Sequence, residues 1–272
     1  MYNLLIVDDE MMICRGIQVM IKRKFADIFT SFIANDGLEA LEILRERNID
    51  LVITDIKMPR MDGLKLIKKV YEKKPSLKFI ILSGYDEFQY AREAIKYNVC
   101  DYLLKPIKRN ELYEVIQKTI DEIEEENRKK IQHEEYVSSQ LNYIFVNPAI
   151  KEEEIANICK KIGFEERGES YVLSVIHIRE KINRKQLIKS LQNFSPQCLQ
   201  EKKTAIVTDH HGDLVIITYD KQLVNKVKDF LSKKEYTFAT GVSSEQISFK
   251  KLKEAYSQAK HALKYRLILP EK

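Results

Sequence analysis

Residues 51–63 read Leu51-Val52-Ile53-Thr54-Asp55-Ile56-Lys57-Met58-Pro59-Arg60-Met61-Asp62-Gly63. Three apolar residues in a row, Leu51 to Ile53, predict a strand buried on both faces. That strand carries Asp55 to its C-terminal end, and Pro59 with Asp62-Gly63 turns the chain toward a helix. In an open α/β sheet, ligands and chemistry gather outside the carboxyl ends of the strands. A carboxylate delivered there is a candidate nucleophile or metal ligand. It is equally an Asp that merely caps the following turn.

Other strand ends break the tie. Asn3 to Val7 is an apolar run ending in Asp8-Asp9-Glu10, Phe79 to Leu82 ends in Ser83-Gly84, and Asp101 to Leu104 ends in Lys105-Pro106. One edge of the sheet then holds an acidic pair, an aspartate, a hydroxyl and a lysine. Three clustered carboxylates repel one another and raise each other's pKa unless a hard divalent cation such as Mg²⁺ joins them. With the cation in place, Asp55 stays ionised and can attack an electrophilic phosphorus. A nearby hydroxyl and ammonium are suited to hold phosphoryl oxygens.

This ordered set resembles the receiver domain of two-component response regulators, over roughly residues 1 to 120, and no position departs from the family's pattern. The resemblance implies that Asp55 accepts phosphate from a sensor histidine kinase. It also implies a Mg²⁺ site built from the acidic pair Asp8 and Asp9, Asp55 and the Lys57 backbone carbonyl. Ser83 becomes the switch hydroxyl, Tyr102 the switch aromatic and Lys105 the phosphate-binding lysine. In that family the bond corresponding to Lys105-Pro106 is usually cis. Phosphorylation would draw Ser83 toward the phosphoryl group and let Tyr102 turn inward, repacking the surface of the helix expected at Glu87 to Tyr97.

The 272-residue chain is long enough for two domains, and no apolar run approaches the length of a membrane span. The N-terminus does not read as a signal peptide, and Cys14, Cys100, Cys159 and Cys198 lack paired or metal-type spacing, which predicts a reducing, cytoplasmic setting. A net charge of +5 is too mild and scattered to argue nucleic-acid binding. Five β-then-α units over the first 120 residues predict a doubly wound parallel sheet, and receivers resemble the flavodoxin-like strand order 2-1-3-4-5. A helical linker follows over 121–147. Ile116, Ile120, Ile123, Asn127, Lys130, Glu134, Val137, Leu141 and Ile144 are spaced by fours and threes, a heptad seam. The seam fits a weak two-stranded coil, and it fits equally a helix packing on its own second domain with Asp121 to Glu126 as a solvated face.

Residues 148–272 read as a short helix and then β-α-β-β-α-β with a final helix, a ferredoxin-like α+β order with helices on one face. The stretch Gly241-Val242-Ser243 and the helix Leu252 to Tyr265 resemble, more loosely, the degenerate GGDEF-like middle domain of AraC/YesN-type response regulators. A cyclase is rejected: the hairpin His211-Gly212-Asp213-Leu214 has one acid, and Ile176-His177-Ile178 offers no second. No catalytic residue is expected. His210 and His211 are read as a solvated turn whose rings point apart. The expected protein is a response regulator that dimerises on phosphorylation and acts on transcription. DNA binding would require an AraC-type module beyond Lys272. The alternative is a complete signalling adaptor whose second domain binds a protein partner.

Overall fold

The computed structural model describes residues 1–84, 97–164, 166, 168–194 and 204–268. The chain divides into two units, Met1–Arg128 and Lys129–Lys272. The division falls inside the stretch expected as a linker.

The first unit begins β1 (Tyr2–Val7), α1 (Met11–Phe25), β2 (Phe29–Ala34), α2 (Gly37–Glu46), β3 (Leu51–Asp55), α3 (Gly63–Tyr71), β4 (Lys78–Ser83) and β5 (Val99–Leu104), and ends in the first part of α4 (Arg109–Val146). Its five strands are parallel in the order β2-β1-β3-β4-β5. Every residue of β3 and β4 is buried, as their continuous apolar sequences require when helices cover both faces. Leu5, Val7, Val52 and Phe79 pack with α2 and α3 on one face; Leu4, Ile6, Ile53 and Ile80 pack with α1 and α4 on the other. The helix expected at Glu87 to Tyr97 lies outside the described residues except for Tyr97.

A buried lysine marks the start of β4. Lys78 is 4 % exposed, and its ammonium meets Glu126 of α4 at 2.6 Å and the Asn98 side chain at 3.4 Å. Asn98 sits at φ 59° and donates to the Pro75 carbonyl, locking the turn before β5.

The apolar heptad residues of α4 are buried in two cores, not in the second unit alone. Ile116 and Ile120 belong to the first unit's core, and Ile123 is buried. Leu141 and Ile144 lie in the second unit's core, with Val137 packed against it. Asn127 and Lys130 are exposed between these ends. The strongest apolar positions of the expected coil are therefore already covered.

The second unit continues from α4 through α5 (Glu152–Lys161), β6 (Val172–Ile178), α6 (Arg184–Phe194), β7 (Ala205–Thr208), β8 (Leu214–Thr218), α7 (Lys221–Lys233), β9 (Phe238–Val242), a 3-10 turn (Phe249–Lys251) and α8 (Leu252–Ile268). The sheet order is β7-β8-β6-β9, antiparallel throughout. Helices cover both faces rather than one. Alternation along β6 sends Ile176 and Ile178 to α6 and α7, and Leu173 and Val175 to α4, α5 and α8. Tyr171 and Phe249 stack at 4.5 Å within the second of these cores, as Phe145 and Tyr256 do at 4.1 Å.

Gly241 is the tightest joint of this unit. A Cβ there would lie 2.0 Å from the Ala259 carbonyl oxygen and 2.4 Å from the Leu263 amide of α8. Gly241→Ala should therefore cost about 1–3 kcal/mol, the usual range for overpacking. A urea midpoint for the second unit equal to wild type would contradict this packing.

Candidate functional site

Parallel pairing brings the strand ends together. Val7 of β1 is in register with Thr54 of β3, so Asp8 and Asp55 emerge side by side; Asp55 is in register with Leu82, one residue before Ser83. Ser83 pairs with Leu104, and the Lys105 amide donates to the Ser83 carbonyl at 2.9 Å. The Lys105-Pro106 bond is cis.

The Lys105 ammonium stands 2.8 Å from Asp8 Oδ2 and 3.1 Å from Asp55 Oδ1. Asp8 is wholly buried and Asp55 nearly so, whereas Asp9 is exposed. Carboxylate oxygens of Asp8, Asp9 and Asp55 lie within 4.8 Å of one another, and no other such group of three occurs among the described residues. Burial pushes the Asp55 carboxyl above its usual range, and Lys105 only partly offsets it. Burial also works against the Lys105 charge, but Asp8 and Asp55 outweigh it and hold the ammonium protonated.

The donor set fits a hard divalent cation. Three carboxylates face a single ammonium, and Asp8 Oδ2 is buried without an aligned hydrogen bond despite the nearby Lys105. An oxygen-seeking cation would satisfy both deficits. Lys57 is exposed in the turn between β3 and α3, two residues past Asp55.

Ser83 is 1 % exposed and donates to the Gly84 carbonyl at 2.9 Å. Tyr102 stands opposite Ile81 in the sheet and is 43 % exposed, its ring turned outward. Reading the sequence missed the tight seat of Gly63, where a Cβ would lie 2.1 Å from the Asp55 carbonyl oxygen. It also missed the Thr54 hydroxyl, which donates to that same oxygen.

The second unit holds another cluster that sequence reading did not assemble. At the β7–β8 turn, Lys260 of α8 reaches Asp213 at 2.8 Å and Asp209 at 3.1 Å. The Tyr256 hydroxyl donates to Asp209 at 2.7 Å, and His177 Nδ1 lies 2.7 Å from Asp213. Amides of His211 and Asp213 donate to the remaining Asp209 oxygen. Burial disfavours the Asp209 charge, yet Tyr256, the Asp213 amide and Lys260 together lower its pKa. The rings of His210 and His211 lie 3.8 Å apart, face to tilted face, rather than diverging. Burial raises the Cys14 thiol to about 12, and its Sγ lies 3.6 Å from the Asp8 carbonyl oxygen. Cys198 lies outside the described residues.

Comparison with known proteins matches residues 4–117 to the response regulator receiver domain. The uncharacterized transcriptional regulatory protein YesN of Bacillus subtilis is 42% identical over 135 residues, covering 49% of this chain and 37% of that protein. The transcriptional regulatory protein HptR of Staphylococcus aureus is 38% identical over 112 residues, covering 41% of this chain and 44% of its own length. The chain thus spans less than half of each of these relatives. The solved REC domain of AraT, a response regulator from Geobacillus stearothermophilus, is 44% identical, with a TM-score of 0.43 over 46% of this chain and 98% of that one. The N-terminal unit is a response regulator receiver domain. No helix among the described residues is long and apolar enough to cross a membrane.

Because burial raises the Asp55 pKa, folding at neutral pH carries a penalty for ionising it, and that penalty vanishes once both states are protonated. In metal-free buffer Asp55→Asn should raise the thermal midpoint of the receiver at pH 7. The gain should shrink as pH falls through the carboxylate range. A midpoint lowered at pH 7 would contradict this electrostatic assignment.

Proposed function

We propose that Asp55 is the phosphoacceptor of this receiver domain and that a sensor histidine kinase is its donor. The supporting observation is the meeting of Asp8, Asp9, Asp55 and Lys105 at the strand ends. Asp9, Asp55 and the Lys57 carbonyl would hold Mg²⁺, with Asp8 completing the acidic pair. Bound there, the cation neutralises the carboxylates and the oxygens of the incoming phosphoryl group. Asp55 supplies the attacking oxygen, and the phosphorus–oxygen bond forms as the donor's bond to phosphorus breaks. Lys105 is then positioned to pair with a phosphoryl oxygen rather than with Asp55.

The added charge biases a two-state element. The Ser83 hydroxyl leaves the Gly84 carbonyl for the phosphoryl group, and Tyr102 turns inward from its outward position. We read the output as homodimerisation and control of transcription in the cytoplasm. The names of YesN and HptR, transcriptional regulatory proteins, support a transcriptional role. DNA contact would come from an AraC-type module beyond Lys272. The second unit is read as a ferredoxin-like, degenerate GGDEF-like domain without catalytic activity. Its β-α-β-β-α-β order and all-antiparallel pairing favour the fold, and the Lys260 ammonium between its two hairpin carboxylates favours the lack of activity.

Asp55→Asn should abolish uptake of phosphate from acetyl phosphate in Mg²⁺, as read by intact-protein mass. Labelling at the wild-type level would remove Asp55 from its role. With Mg²⁺ and beryllofluoride, sedimentation velocity of the wild type should show a shift toward dimer. Ser83→Ala should keep phosphate uptake but lose that shift; a normal shift would sever Ser83 from the switch.

A further inference from the structure

The loop between β3 and α3, which carries the Lys57 carbonyl, is tied to the N-terminus of α2 by an ion pair as well as by a backbone hydrogen bond. Arg60 donates from Nε to Asp36 Oδ2 at 2.6 Å, and a second guanidinium nitrogen reaches the same oxygen. The Asp36 side chain is 3 % exposed, and its other oxygen caps α2 by accepting from the Leu38 amide at 2.8 Å and the Glu39 amide at 3.1 Å. Burial opposes the Asp36 charge, but the Glu39 amide and Arg60 outweigh it and keep the carboxylate ionised.

Three further features show that this loop is held in one shape. The Gly63 amide donates to the Ile56 carbonyl at 2.9 Å and closes it. The Gly37 amide donates to the Met61 carbonyl at 3.2 Å, in a space that a Cβ on Gly37 would fill. Arg60 itself sits at φ 61°, a left-handed conformation that glycine adopts without cost and arginine does not. A residue strained in its backbone and engaged through its side chain is bound by that side chain's partner.

We infer that Arg60 and Asp36 are positioning residues for the phosphoacceptor site: their ion pair sets the place of the loop that presents the Lys57 carbonyl, and hence the affinity for the divalent cation. This rests on the reading of Asp55 and its acidic neighbours given above. Neither residue touches the reacting atoms. They act as outer partners that orient a ligand, and loss of such partners lowers metal affinity about 10–100-fold.

Calorimetric titration of the full chain with MgCl₂ tests this directly. Arg60→Gly keeps the left-handed turn accessible and removes the side chain that carries the guanidinium. Asp36→Asn keeps a capping oxygen and removes the charge. Each should weaken Mg²⁺ binding about tenfold with the receiver's thermal midpoint nearly unchanged, and phosphate uptake should recover at saturating Mg²⁺. The double variant should be no weaker than either single one, because the two residues act through one pair. Arg60→Lys, which keeps the charge without the fork, should fall between. Binding within about twofold of wild type in both single variants, or additive losses in the double, would overturn the clamp. Absence of Mg²⁺ binding in the wild type, or undiminished binding in Asp55→Asn, would instead overturn the site reading, and the clamp with it.

Discussion

Two buried carboxylates at the ends of adjacent parallel strands stay ionised together only where positive charge or hydrogen-bond donors offset them. In the receiver, the Lys105 ammonium spans Asp8 and Asp55 and ties β5 to β1 and β3 across the sheet. Charge is left over: Asp9 faces the same space, and Asp8 Oδ2 lacks an aligned donor. That residual deficit separates a site from a brace. The second unit has the same carboxylate–lysine–carboxylate motif in Asp209, Lys260 and Asp213, yet every oxygen of its two acids already has a partner. The first arrangement leaves carboxylate charge over; the second holds a turn against a helix.

Much of this was legible in the residues. Continuous apolar runs located β3 and β4, and turn chemistry located the strand ends that carry Asp8, Asp55, Ser83 and Lys105. The order of the strands came from the likeness to a known family, since apolar runs do not say which strands pair. Other features were hidden for identifiable reasons. An i, i+3, i+4 pattern reports that one face of α4 is covered but not by what, and its two ends proved to serve two cores. Amphipathic helices around β6 to β9 likewise do not declare which face of the sheet they occupy.

Long-range ion pairs were the least legible. Lys260 lies 51 positions from Asp209 in a helix rich in lysine, and no spacing rule picks it out. Asp36 caps α2, but its second role depends on Arg60, 24 positions later, adopting a left-handed turn. Such partners are specified by topology, which only the assembled sheet supplies.

Lys78 shows how topology can in turn be specified by one charge. The strand Phe79-Ile80-Ile81-Leu82 is hydrophobic on both faces, so side-chain alternation gives it no fixed register against β3 or β5. Its first residue carries an ammonium tethered to Glu126 at the N-terminal edge of the sheet. Sliding the strand inward by two residues would drag that charge into an apolar core, at a cost of several kcal/mol. Lys78 therefore acts as a stop on the strand's travel. The hydroxyl of Ser83, at the far end of the same strand, owes its height beside Asp55 to a lysine on the opposite rim of the sheet.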